Sequence, residues 1–154
     1  RSHHDIFASN GILYNHESIY RSNNFVSMKI INGAINIKNG LQDKLQLGDL
    51  DAEVDWGFAP DYVDAMIKIL NIEKSNDFII ATGEKHSVRE FVQIAFEFLG
   101  LDWRNYVDQN ASIIAKQKKA LVGRPNKLKI ETGWKPSVNF EEMIHNILQA
   151  YIRI

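Results

Sequence analysis

The sequence predicts an α/β fold, because short apolar runs of strand length alternate with longer segments in which apolar residues recur at helical spacing. Ile6–Tyr14 is an apolar run that ends in polar residues, and Asp77–Ala81 is a shorter run of the same kind. Between them lie two segments with helical periodicity, Phe25–Lys38 and Asp61–Ile72. Strands that alternate with helices are typical of a sheet whose strands are joined by crossover helices.

The first strand, Ile6–Tyr14, is predicted to be buried, and its end carries the most informative residues of the chain. Four polar side chains, Asn15-His16-Glu17-Ser18, follow it directly. In open parallel sheets, ligands bind in the crevice beyond the carboxyl ends of the strands. Asn15 and His16 are therefore candidates for contact with a ligand. A solvated turn after a strand explains the same pattern, and the residues alone do not separate the two interpretations.

Two amphipathic helices are predicted next. The first, Phe25–Lys38, is followed by Gly40 as a stop, and the second, Asp61–Ile72, has Pro60 at its first turn. The apolar positions of the first helix are Val26, Ile30, Ala34 and Ile37. Those of the second are Tyr62, Met66 and Ile69, with Val63, Ile67 and Leu70 beside them. Both apolar stripes are interpreted as core.

Capping residues define two further helices. Ser87 and Glu90 form a capping box that starts a helix running to Gly100. Asn139 caps the last helix. The apolar stripe of that helix comprises Phe140, Met143, Ile144, Ile147, Leu148 and Tyr151. It is also interpreted as core rather than as a ligand site.

The composition limits the classes of function. With 154 residues, 45% hydrophobic and 24% charged, the chain can bury one core, and we expect one incomplete domain whose sheet is the far side of a larger one. The absence of cysteine excludes disulfides and thiolate metal sites, and we expect no metal site. No apolar run approaches the roughly 20 residues that a membrane span needs. We therefore expect a soluble cytoplasmic protein without membrane contact.

A net charge of -1 gives no reason to expect nucleic-acid binding, which usually shows a basic excess. The local lysines Lys116, Lys118 and Lys119 are interpreted as a solvated face.

The order and spacing of nine motifs resemble those of the GDP-mannose 4,6-dehydratase family, within the extended short-chain dehydrogenases/reductases. The motifs are Asn10–Ser18, Phe25-Val26, Lys29-Ile30, Leu47-Gly48, Leu50–Ala52, Asp55–Gly57, Asp61–Val63, Ile80–Glu84 and His86–Val92. The resemblance runs from about Ile6 to Phe140 and is most specific up to Val92. It implies that residues 1–154 are the C-terminal half of a nucleotide-sugar dehydratase, with the last strands of a Rossmann-like sheet and a small substrate-binding subdomain.

The N-terminal cofactor-binding half of such an enzyme is not recognisable in the sequence. There is no glycine-rich G-x-G-x-x-G turn, and no tyrosine has a lysine four positions later. The chain also begins at Arg1, and the run Arg1-Ser2-His3-His4 is compatible with either native sequence or a tag, of which we favour native sequence. We therefore expect no catalytic residue in this span and no activity from the span alone.

The resemblance implies NADP as the cofactor, with His16 and Arg21 as its ligands. His16 would meet the nicotinamide half, and Arg21 lies in the loop that follows. An imidazole and a guanidinium can donate hydrogen bonds to carboxamide, ribose or phosphate oxygens. A histidine that is satisfied locally is the alternative on the residues alone.

A second set of residues is expected to face the nucleotide sugar: Asn15, Val26, Lys29, Leu47 and Gly48. Lys29 is the natural partner of a diphosphate. A positive charge in the first turn of a helix interacts unfavourably with the helix dipole. A nearby anion would offset this cost. A lysine that extends into solvent is equally compatible with the local sequence.

Three departures from the family pattern bear on the substrate. Val54 occupies the position of an arginine that grips the nucleotide diphosphate, and Ile19-Tyr20 replaces a Pro-Arg pair. The Ile113–Lys119 segment reverses the expected signs of charge. Arg124 either supplies the missing guanidinium to the substrate or begins the helix that contains Lys127 and Leu128.

The resemblance implies NADP-dependent dehydration of GDP-mannose, or of a related GDP-sugar, to the 4-keto-6-deoxy sugar. It also implies a homo-oligomer, a dimer or a tetramer, for the full-length enzyme. Two alternatives stay open: another NDP-sugar epimerase or reductase of the same group, and a non-catalytic binding or assembly module.

Overall fold

The computed structural model describes residues 1, 3–110, 112 and 120–152. The strands in this part of the chain are β1 (Asn10–Leu13), β2 (Asn15–Glu17), β3 (Leu45–Leu47), β4 (Glu53–Val54), β5 (Trp56–Phe58), β6 (Asp77–Ile80), β7 (His86–Ser87) and β8 (Val107–Gln109). The helices are α1 (Val26–Lys38), α2 (Ala59–Leu70), α3 (Val88–Phe98), α4 (Asn126–Thr132) and α5 (Phe140–Ile152), with a short 3-10 turn at Trp103–Asn105.

The strands form pairs, and most of the pairs are parallel. β1 pairs with β6, β2 with β5, and β3 with β8, all in parallel, whereas β4 and β7 are antiparallel. The register sets Leu13 opposite Ile80 and Asn15 opposite Trp56. Tyr14 links the two pairs because its N–H donates to the Ile80 carbonyl at 3.0 Å. The four polar residues Asn15–Ser18, called the polar turn below, therefore follow the carboxyl end of a parallel strand pair, and the first three of them continue as strand β2.

The prediction of a buried first strand over Ile6–Tyr14 is wrong in extent and in burial. The strand begins at Asn10, and the side chain of Ile12 is 54% exposed. Ile6 and Phe7, which precede the strand, are also exposed. The apolar composition of this segment indicates that its side chains favour burial. It does not indicate which part of a polypeptide buries them. Among the described residues, β1 pairs only with β6.

The two predicted central helices are present with small shifts. α1 begins one residue after Phe25, and α2 begins at Ala59 with Pro60 in its first turn. The prediction that the whole stripe of α2 is core is wrong. Tyr62, Ala65 and Ile69 are buried. The exposed fractions of the other apolar residues are 52% for Val63, 36% for Met66, 55% for Ile67 and 64% for Leu70. We call these four residues the α2 stripe.

Both predicted helix caps are confirmed. The Ser87 hydroxyl accepts from the Glu90 N–H at 3.1 Å, and the Glu90 carboxylate accepts from the Ser87 N–H at 2.6 Å. Asn139 and Glu142 exchange the same pair of contacts at the start of α5. α3 ends at Phe98, and Gly100 follows with a φ of +72°. Each cap satisfies backbone groups that the first helical turn leaves without partners.

The core consists of two clusters. The larger one joins the apolar faces of α1, α3 and α5 to residues of β3 and β5. The smaller one lies between α2, β6 and α4, and it comprises Tyr62, Ala65, Ile69, Phe78, Ile80, Leu128 and Trp134. The polar turn lies close to both clusters, because β2 pairs with β5 and Tyr62 contacts the turn.

A buried carboxylate, that of Asp55, ties three segments together. Asp55 is 0% exposed and lies between β4 and β5. It accepts hydrogen bonds from the Thr82 N–H at 3.0 Å, the Thr82 hydroxyl at 2.6 Å, the Gly83 N–H at 3.1 Å and the Gly123 N–H at 3.0 Å. A Cβ at Gly123 would lie 2.1 Å from the Ala81 Cβ, so glycine permits this close approach. Asp55 thereby joins β5 to the end of β6 and to the segment before α4.

Glu17 is a second buried carboxylate, and it joins β2 to α1. Its side chain accepts a hydrogen bond of 2.6 Å from the Ser27 hydroxyl, and Arg21 Nε lies 3.4 Å away. Desolvation raises the pKa of Glu17 above its ordinary value of 4.5, while the Ser27 hydrogen bond and the charges of Arg21 and His16 oppose this rise. Burial therefore outweighs the favourable contacts of the charged form.

We predict that Asp55→Asn lowers the free energy of unfolding by about 3 kcal/mol, because the amide nitrogen would face N–H donors and leave them unsatisfied. Urea unfolding followed by circular dichroism measures the change. Asp51→Asn is the control: Asp51 is 72% exposed and pairs with Arg89 at the surface, so a loss below about 0.5 kcal/mol is expected. Equal losses in the two variants would contradict this role of Asp55.

We also predict a pH-dependent difference between the wild type and Glu17→Gln. Because the pKa of Glu17 is higher in the folded state, the folded chain binds more protons, and stability from this group grows as pH falls toward 4.5. The glutamine does not titrate. The wild type should therefore gain stability relative to Glu17→Gln between neutral pH and the ordinary glutamate pKa. Urea unfolding of both proteins at several pH values tests this, and a constant difference would argue against it.

Candidate functional site

A cavity of about 280 Å³ opens beside the polar turn and brings the two predicted cofactor ligands together. We call it the His16 cavity. Its walls are His16, Ser18, Tyr20, Arg21, Ala59, Tyr62, Val63 and Met66. One side is formed by the turn and the loop that follows it, and the other side by the first half of α2. The cavity thus combines an imidazole, a guanidinium and apolar surface.

The hydrogen bond of His16 fixes which ring nitrogen is free. Nδ1 lies 2.8 Å from the Tyr14 carbonyl oxygen. A carbonyl oxygen only accepts, so Nδ1 carries the proton and Nε2 of the neutral ring is an acceptor. The sequence-based expectation that His16 donates to a ligand therefore needs a correction. Neutral His16 can accept a hydrogen bond through Nε2, and it donates there only when the ring is protonated.

Tyr62 holds the His16 ring in place. The two rings are stacked with their centroids 5.0 Å apart and an interplanar angle of 30°. Tyr62 is 1% exposed, its ring lies perpendicular to that of Trp134, and its hydroxyl donates to the Asn15 carbonyl at 3.4 Å. Burial and nearby carboxylates raise the pKa of Tyr62, so its hydroxyl remains a donor. His16 therefore rests on a rigid aromatic support.

Glycine makes this stacking possible. A Cβ at Gly57 would lie 2.3 Å from Tyr62 Cε2, so a larger residue in β5 would displace the ring. The sequence predicted Tyr62 as a core residue but not as the support of His16. A helical stripe identifies a buried face, whereas this contact joins two elements that are distant in the sequence.

Arg21 is held between a carboxylate and an aromatic ring. Its Nε lies 3.4 Å from the Glu17 carboxylate, and its Cζ lies 3.5 Å from the centre of the Phe25 ring. The Arg21 side chain is 20% exposed, and its buried Nε makes no hydrogen bond within the described part of the chain. Cation–π contact and ion pairing together orient the guanidinium at the cavity wall. No pattern in the sequence pointed to Glu17 and Phe25 in this role.

The predicted substrate residues do not line the His16 cavity. Asn15, Val26 and Lys29 are exposed, the first on β2 and the others in the first turn of α1. Gly48 is half-buried just after β3. Leu47 is 1% exposed in the larger core cluster, and its carbonyl accepts from the Asn110 N–H at 2.8 Å. The side chain of Leu47 therefore faces the core rather than a ligand.

The departures from the family pattern lie elsewhere. Val54 is half-buried in β4, opposite His86. Arg124 is exposed and lies two residues before α4, which begins at Asn126 and contains Lys127 and Leu128. The interpretation that Arg124 begins this helix is therefore wrong. The Ile113–Lys119 segment, including Lys116, Lys118 and Lys119, lies outside the described residues.

A second cavity of about 280 Å³ contains none of the residues predicted from the sequence. It lies where β5 and α5 meet, and the His86 ring stacks on Phe140 there with centroids 3.9 Å apart. Within residues 1, 3–110, 112 and 120–152, no group of three or more histidine or carboxylate side chains could hold a metal ion. In the same ranges, no helix has the length and apolar character needed to cross a membrane.

The chain is similar to a known sugar-nucleotide enzyme. It is 46% identical over 145 residues to GDP-mannose 4,6 dehydratase 2 of Arabidopsis thaliana. The alignment covers 94% of this chain and 39% of the relative. The chain thus spans about two-fifths of the length of this curated relative.

Two solved structures share the fold. RMD from Pseudomonas aeruginosa, solved with NADPH, matches with a TM-score of 0.85 and 20% identity, over 94% of this chain and 48% of that one. The dTDP-glucose 4,6-dehydratase from Bacillus anthracis, solved with NAD, matches with a TM-score of 0.80 and 19% identity, over 93% and 44%. These likenesses confirm the predicted α/β fold class.

The family is shown by a match over nearly the whole chain. A family model described as GDP-mannose 4,6 dehydratase matches residues 1–147. The motifs on which the resemblance depended lie within this range. The chain therefore belongs to the GDP-mannose 4,6-dehydratase family.

Proposed function

We propose that this chain supplies the cofactor edge and part of the substrate site of an NADP-dependent GDP-sugar 4,6-dehydratase. The observation that carries the proposal is the His16 cavity, where an oriented imidazole and an oriented guanidinium meet beyond the carboxyl end of β1. Family membership supports the reaction class. In such a dehydration, NADP would take up a hydride from the sugar and return it.

The geometry of the cavity suits the nicotinamide half of the cofactor. With Nδ1 bonded to Tyr14, His16 Nε2 can accept a hydrogen bond from the carboxamide NH₂ or from a ribose hydroxyl. Arg21 offers a positive charge at the same wall for an anionic phosphate. Apolar surface from Val63 and Met66 faces the same space. In this role the residues orient the cofactor rather than transfer protons.

The substrate site is proposed to include the first turn of α1. This turn has no acidic residue, it carries Lys29, and its first N–H groups lie at the positive end of the helix dipole. These features favour a diphosphate. Asn15, exposed at the start of β2, and Gly48, which follows β3, are proposed to contact the same ligand. Arg124, exposed before α4, is proposed as a second cation in place of the arginine that Val54 replaces.

We also propose that residues 1–154 work as the C-terminal half of a longer fold. The α2 stripe and Ile12 of β1 expose several large apolar side chains. Such surfaces usually mark an interface. A cofactor-binding half that packs there would cover them, and it would supply the glycine-rich turn and the Tyr-x-x-x-Lys pair that this sequence lacks. The residues described above would then provide positioning, and the other half the acid-base groups.

Val54 supports a second candidate function, a non-catalytic binding or assembly module. Without an arginine at this position, a diphosphate loses one partner. The two functions differ in one outcome, because only the enzyme forms a product.

We expect the full-length protein to release water from GDP-mannose, or from a related GDP-sugar, in the presence of NADP. Mass spectrometry would detect the 4-keto-6-deoxy product by its loss of one water. His16→Ala should weaken NADPH binding roughly tenfold, the equivalent of one good hydrogen bond.

The matched control for this experiment is His145→Ala. His145 lies on α5, stacks near Phe98 and is not part of the His16 cavity. Its replacement should leave NADPH affinity within twofold of the wild type. Cofactor binding without product from any GDP-sugar would favour the module, whereas the absence of both would refute the proposed function.

A further inference from the structure

The buried side chain of Glu17 lies directly behind the His16 cavity without lining it. Glu17 is 1% exposed, and it is placed by β2, whose backbone pairs with β5. Two side chains approach the same oxygen, Oε2: the Ser27 hydroxyl at 2.6 Å and Arg21 Nε at 3.4 Å. The carboxylate therefore joins the polar turn, the loop after it and the first turn of α1.

A purely structural role does not account for this arrangement. Burial of a charged carboxylate costs free energy, and apolar residues of similar size often replace a buried ion pair without loss of stability. The Ser27 hydroxyl needs only an acceptor, which a neutral amide would also provide. Of the two side chains that contact Oε2, only the guanidinium of Arg21 needs the negative charge.

One planar face of the guanidinium is also occupied. The Phe25 ring, directly before α1, lies 3.5 Å from Arg21 Cζ. With Glu17 at Nε and Phe25 against the planar face, the side chain has few remaining rotamers, although Arg21 still lines the cavity. A cation that is oriented before the ligand arrives loses less conformational entropy on binding.

We propose that Glu17 is a positioning residue for the cofactor site and acts through Arg21. Its carboxylate holds the guanidinium at the wall of the His16 cavity, where the positive charge meets an anionic group of a dinucleotide. This role rests on the proposed function, because it assigns Arg21 to the cofactor. Glu17 itself touches no ligand.

A double-mutant cycle on the full-length protein tests the proposal. Glu17→Gln keeps the size of the side chain and an acceptor for Ser27, but it removes the charge that orients Arg21. We expect the NADPH dissociation constant, measured by fluorescence, to rise about fivefold in Glu17→Gln and about tenfold or more in Arg21→Ala. The double variant should bind like Arg21→Ala alone, because residues that act through one another are not additive.

A second measurement follows Arg21 without the cofactor. In ¹⁵N-labelled protein, the relaxation of the Arg21 Nε–H signal should report a rigid side chain in the wild type and a mobile one in Glu17→Gln. The control is Glu90→Gln, which weakens the capping box of α3 and should leave NADPH affinity within twofold of the wild type. A structural loss alone would affect both glutamine variants.

The outcomes distinguish the proposed function from the positioning role of Glu17. If the wild type binds no NADPH, the proposed function and the role of Glu17 both fail. If the wild type binds NADPH and Glu17→Gln binds it equally well, only the role of Glu17 fails. Additive effects in the cycle, an equal loss of affinity in Glu90→Gln, or an Arg21 side chain that stays rigid in Glu17→Gln would also overturn it.

Discussion

The geometry of the site depends on one buried carboxylate, that of Asp55. Four donors from the Thr82, Gly83 and Gly123 region converge on it, so the chain before β5 is fixed to the end of β6. β5 in turn pairs with β2, which carries His16. The donors are backbone N–H groups and one hydroxyl. They are satisfied only by a side chain with two accepting oxygens, which is a carboxylate. The position of the cavity wall follows from that constraint.

Around this anchor, the two candidate cofactor ligands are oriented by buried groups rather than by solvent. His16 is fixed by the Tyr14 carbonyl and the Tyr62 ring, and Arg21 by Glu17 and Phe25. Each arrangement leaves one side of the side chain facing the cavity. Preorganisation of this kind lowers the entropic cost of binding. The exposed apolar residues of α2 adjoin the same cavity, so the proposed interface and the proposed cofactor site are continuous.

Much of the local structure could be predicted from the sequence, because it depends on neighbouring residues. The capping boxes at Ser87 and Asn139 satisfy backbone groups within one turn, and both are present. Burial was harder to predict. The apolar character of β1 and of the α2 stripe indicates surfaces that prefer to be covered, but not whether the described chain covers them. His16 and Arg21 are held in place by residues of other elements or of the same loop. The spacing of apolar residues along the chain carries no information about such contacts.

The central claim is that His16 and Arg21 form the cofactor edge of a nucleotide-sugar dehydratase. A crystal structure of the full-length protein with bound NADP tests it most directly. We expect His16 Nε2 within hydrogen-bond distance, about 2.7–3.2 Å, of a donor on the nicotinamide half, with Nδ1 still bonded to the Tyr14 carbonyl. We also expect Arg21 in contact with the cofactor. NADP bound elsewhere, with neither residue touching it, would contradict the account.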